Sequence, residues 1–129
     1  MQTTLALAAG IAVLTGLVHS VLGERLIFKH LRNGTLIPAL AAPPLRSGHV
    51  RILWATWHLA TVFGWAFAVV LFRLAENPQT PLPALVAGAT VAAYGGGALL
   101  VLVGTRGRHP GWIALGAVAV LTWCALGNV

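Results

Sequence analysis

The chain has 129 residues, of which 58% are hydrophobic and 8% charged, with a formal net charge of +6. A soluble domain carries about 25% charged residues, so this composition excludes an ordinary water-facing surface and makes lipid the expected solvent. The positive charge does not indicate nucleic acid, because no aromatic-basic binding surface is visible and the basic residues sit between apolar runs.

Residues 3–23 form the first apolar run. No basic segment precedes it and no small-x-small cleavage site ends it, so it reads as a retained transmembrane helix. Thr4, Ala8, Ala12, Thr15 and His19 share one face at helical spacing, and small residues let helices approach closely in lipid. The following segment, ERLIFKHLRNG, mixes apolar and basic residues. It is expected to extend the first helix, or to lie at the interface, until Asn33-Gly34 ends it. A helix continued this far would bring His30 onto the face of His19. The remainder, TLIPALAAPPLRSG, has three prolines and reads as irregular.

The second run, residues 52–72, carries RILWATWHLATVFGW at its start. Arg51, Trp54, His58, Thr61 and Trp65 fall on one stripe, while Phe63 and Phe67 fall opposite. Thr56 lies off that stripe, where its hydroxyl can bond its own helix backbone. Trp54 and Trp57 fit an interfacial aromatic belt, and Trp65, at greater depth, fits helix packing better. The third run, residues 82–104, contains Tyr94 followed by Gly95, Gly96 and Gly97. The glycines read first as close helix packing, and second as space for a bulky ligand. The fourth run, residues 111–127, follows Pro110, which suits a first helical turn. Cys124 is the single cysteine, so no disulfide within the chain is possible.

These four runs predict one all-α domain over residues 1–129, an integral membrane four-helix antiparallel bundle. Seven of the eight Lys and Arg residues fall in segments 24–51 and 105–110, which places both in the cytoplasm and both termini outside, in a bacterial-type inner membrane. The basic first loop is expected to meet anionic lipid headgroups. The small size and glycine-rich faces predict a homo-oligomer or membership of a larger membrane complex.

All five histidines and Glu24 lie toward the same end. By helical rise, His19 and His58 sit about 6 and about 10 Å deep. Ionisable groups at such depth tend to face the protein interior and to mark function. The leading expectation is a haem or transition-metal site with a possible redox role. His19 and His58 would be ligands, joined for a bare metal by Glu24 or His109, with Tyr94 and Arg51 orienting what is bound. No tight HxxxH pair supports it, and the alternatives are an accessory subunit with a structural His58, a small transporter or channel with a protonatable His58, and an interfacial enzyme acting on lipid or quinone.

Overall fold

The structure is a computed structural model and describes residues 1–126. It contains helix α1 (Gln2–Leu26), a one-turn 3-10 helix (Phe28–Leu31), and helices α2 (Ser47–Glu76), α3 (Leu82–Thr105) and α4 (Gly111–Leu126). The described part is helical with no β-strand element. α1, α2 and α3 are long and apolar enough to cross a membrane, and α4 is a shorter apolar helix of 16 residues. Residue 127 of the expected fourth span lies outside the described residues. Large apolar side chains such as Leu7, Ile11, Leu14, Phe67 and Leu121 stand exposed along the helices. Water would penalise such continuous surface, whereas lipid solvates it.

Extensive contact runs between chain neighbours: α1 with α2, α2 with α3, and α3 with α4. Each pair is antiparallel, as the short connections after α2 and α3 require. A closed four-helix ring would also need α1 against α4, and that pair makes no extensive contact among the described residues. Within one chain the helices therefore form an open series.

The three consecutive glycines of α3 serve packing on both sides. A side chain at Gly97 would meet Leu59 of α2 at 2.5 Å, and one at Gly96 would meet Val62 at 3.0 Å. Gly95 looks toward Ala119 of α4. α3 ends with Arg106 and Gly107 in the left-handed region, at φ 54° and 71°. The Gly107 N–H reaches back to the Leu102 carbonyl at 2.8 Å, which closes the last turn.

The segment after α1 differs from the expected helical extension. The α-helix stops at Leu26 and tightens into the 3-10 turn. This turn buries Phe28, which is 3% exposed, edge-on to Trp57. It also carries Arg32 back to Glu24. His30 accordingly leaves the face of His19 and is exposed. Beyond Gly34, at φ 64°, the chain is irregular up to α2, as its prolines predict.

Candidate functional site

The α1–α2 seam is built from small residues on one helix and indoles on the other. Ala9, Gly16 and Gly23, seven apart, are buried on α1. Over Gly16 and Gly23 lie Trp65 and Trp57 of α2. Trp65 Nε1 donates to the Val13 carbonyl at 3.1 Å, and Trp57 Nε1 to the His19 carbonyl at 3.0 Å. Trp54 Nε1 donates to Glu24 Oε1 at 2.6 Å. A helical carbonyl keeps a second lone pair after making its ladder bond, so it can accept an indole N–H as well. Glycine is required beneath two of the rings: a Cβ at Gly16 would lie 2.7 Å from Trp65 Nε1, and one at Gly23 would overlap the Trp57 indole.

This register brings a chain of polar groups together near the end of the seam that carries the basic loops. Glu24 receives Arg32 on Oε2, and Trp54 and His58 on Oε1. Arginine and indole can only donate, so the Glu24 carboxyl serves them as an ionised acceptor. His58 Nε2 stands 3.0 Å from Glu24, and its Nδ1 stands 2.9 Å from Ser20 Oγ. Ser20 Oγ lies 2.8 Å from Thr61 Oγ1, and Thr61 donates to the Gly16 carbonyl at 3.1 Å. The His58 side chain is 15% exposed and is flanked edge-on by Trp54. Thr61 is 5% exposed.

Four contacts link Glu24, His58, Ser20, Thr61 and the Gly16 carbonyl. A neutral imidazole contributes one ring proton and each hydroxyl one, which leaves one contact without a proton. A doubly protonated imidazole fills all four. Its two N–H groups donate to Glu24 and Ser20, Ser20 donates to Thr61, and Thr61 donates to Gly16. Loss of the Nδ1 proton reverses Ser20, which then donates to His58, and frees Thr61 to turn toward Ser20. The protonation state of His58 is thus tied to the direction of two hydroxyls deeper in the membrane-length helices.

The expected site residues separate into three places. His58 and Glu24 meet in the seam. His19 does not face His58, because its ring stacks flat on Trp57 with centroids 4.3 Å apart. Tyr94 packs edge-on against Phe63, 5.1 Å away, on the opposite face of α2. Arg51 donates to the Gly104 carbonyl at 3.2 Å and lines a separate cavity with His109. Among the described residues, no three His, Cys, Asp or Glu side chains gather as a metal-binding group. Because Tyr94 lies outside the seam, Tyr94→Phe is expected to change stability by less than about 0.5 kcal/mol. It should also leave the His58 ring resonances in place, as ¹⁵N-histidine NMR would check.

Two members of the site were missed from sequence, Ser20 and Arg32. The expected small-residue face of α1 was centred on Thr15 and His19, whereas the packed face runs through Ala9, Gly16, Ser20 and Gly23. The seven-residue repeat of Ala9, Gly16 and Gly23 was the available signal, since Ser20 and Glu24 share that face. Arg32 gave no comparable signal, because its contact depends on the chain reversing after Leu26.

Ser20, His58 and Glu24 have the order of a nucleophile, base and orienting acid. Acyl transfer also needs donors aimed at a developing oxyanion. Ser20 lies inside α1, where the surrounding backbone N–H groups are held in the helix ladder. The nearby Trp57 and Thr61 donors are already given to carbonyls. The arrangement suits holding and passing a proton better than attacking a carbonyl. No known protein family, curated protein or solved structure matches this chain, so its function has to be read from the chemistry of the seam.

Proposed function

We propose that this chain is a small membrane protein that handles protons at His58, as the proton-bearing element of a proton-coupled carrier or channel. The supporting observation is the two-ended hydrogen bonding of the imidazole, with a carboxylate on one nitrogen and a pair of hydroxyls on the other. Such a chain can take up a proton at Glu24 and His58 and pass the change inward through Ser20 and Thr61. The excess of basic residues at this end supports a cytoplasmic opening.

From Glu24 to Gly16 the chain covers eight residues of α1, or about 12 Å. That is less than half of the ~30 Å hydrocarbon core. One copy therefore supplies an entry rather than a complete path. Self-association, or docking into a larger complex, would complete the bundle that the open helix series leaves unfinished. The haem or transition metal expected from the histidines gains no support from this geometry: both His58 nitrogens are engaged and His19 stacks on Trp57.

The test is proton flux in liposomes of the purified protein, with a trapped pH-sensitive dye and an imposed gradient. The wild type should dissipate the gradient, and His58→Gln should do so at least about tenfold more slowly, having lost the imidazole that carries the proton. Equal rates for correctly assembled wild type and His58→Gln would reduce His58 to a structural role.

A further inference from the structure

The first turn of α2 and the α3–α4 connection form the cavity lined by Arg51 and His109, of about 390 Å³. It falls within the ~300–1,000 Å³ typical of small-ligand clefts. Arg51, Arg106, Arg108, His49, His109 and Ser47 are among its lining residues, and no acid is. The three arginines are near enough for Arg106 and Arg108 to act electrostatically on Arg51. Like charges gathered in one cavity repel, and among the described residues no acidic side chain lines the cavity to offset them. The chain has only two acids, Glu24 and Glu76. Glu24 is committed to Arg32 and His58, and Glu76 lies beside Arg73 at the far end of α2.

The two histidines add donors rather than acceptors. His49 Nδ1 accepts the Arg46 backbone N–H at 3.3 Å, and His109 Nδ1 accepts the Gly111 N–H at 3.1 Å. A ring nitrogen that accepts cannot carry a proton, so in each ring the proton is on Nε2. Arg51 gives one nitrogen to the Gly104 carbonyl and keeps further N–H groups. The cavity thus combines guanidinium and imidazole donors, a hydroxyl and an uncompensated positive charge.

We propose that this cavity binds a phosphate group, carried either by a phospholipid headgroup or by a soluble phosphate. Guanidinium forks match phosphate oxygens in geometry as well as charge. The cavity sits where two membrane-length helices end, where a lipid headgroup would reach it if both span the bilayer, and a soluble phosphate would meet the same donors. This site is independent of the proton chemistry at His58.

The experiment is calorimetric titration of the purified full chain in zwitterionic detergent, with inorganic phosphate in one arm and short-chain phosphatidylglycerol in the other. Saturable binding of one ligand per chain is expected in at least one arm, weakened at least tenfold in both Arg108→Gln and Arg51→Gln. Lys29→Gln, which removes a charge outside the cavity, should bind like the wild type. Arg108 is exposed, and among the described residues its side chain bonds to no other helix, so its variant reports on the site even if Arg51→Gln misfolds. Binding of phosphate identifies a soluble ligand, and binding of the lipid alone identifies a headgroup. No saturable binding in either arm overturns the proposal, as does equal weakening by Lys29→Gln.

Discussion

Gly23→Ala is expected to loosen the α1–α2 seam by ~2–4 kcal/mol, the sum of an overpacking cost of ~1–3 kcal/mol and about 1 kcal/mol for one hydrogen bond. The new methyl would enter the Trp57 indole, 2.6 Å from Cε2, so the ring has to move. Moving it breaks the Nε1 bond to the His19 carbonyl and the stack on the His19 ring. The same substitution at Gly10 meets nothing within 4 Å. There alanine should be neutral or stabilising by up to ~1 kcal/mol, because it restricts the unfolded backbone and favours the helix. Two identical changes on one helix are therefore expected to differ in sign. Reversible unfolding in detergent would measure both. A Gly23→Ala variant as stable as Gly10→Ala would show that the indole does not rest on Gly23. Trp57→Phe combined with Gly23→Ala should recover part of the loss, since the smaller ring vacates the space taken by the methyl.

The second large effect is expected at Glu24. Its carboxylate is the common acceptor for Arg32, Trp54 and His58. Glu24→Gln keeps one carbonyl oxygen for a neutral donor and removes the charge that faces both Arg32 and the imidazole. Hydrogen bonds to a charged group are worth ~1.5–3 kcal/mol each, and the partial exposure of Glu24 places the net loss near the lower end of that range. The functional effect should exceed the structural one. Without its counter-charge, the imidazole loses the carboxylate that holds its Nε2 in place. Proton flux should fall at least about tenfold while the helices still assemble. In ¹⁵N-histidine spectra the Nε2 resonance of His58 should shift against the wild type, because its hydrogen-bond partner has changed. A variant with wild-type flux and an unchanged His58 spectrum would remove Glu24 from the relay.

How much of this was legible beforehand follows from where each signal resides. The polar stripe of α2 could be read directly, because Trp54, His58, Thr61 and Trp65 repeat at helical spacing against apolar neighbours. All four now contact α1 or its extension. The partner face of α1 was harder, because that helix is apolar or small almost throughout and has no marked polar side. Shifting the assumed face by one residue rotates it by 100°. That shift exchanges His19 for Ser20, and it separates a two-histidine metal site from a serine, histidine and glutamate chain.

The sequence by itself determined that the chain forms apolar helices of membrane length, where prolines and glycines end them, and that its histidines and seven of its eight Lys and Arg residues collect at one end. These follow from local composition and period, which each segment carries without reference to its neighbours. Only the tertiary structure decided what His58 touches. That outcome rests on two glycines making room for two indoles, which fixes the rotation of α1 against α2. It rests also on the reversal after Leu26, which buries Phe28 and returns Arg32 to Glu24. The cationic cavity is likewise a product of packing, since Arg51 and Arg108 are 57 positions apart in sequence and meet only because α2 and α3 run antiparallel.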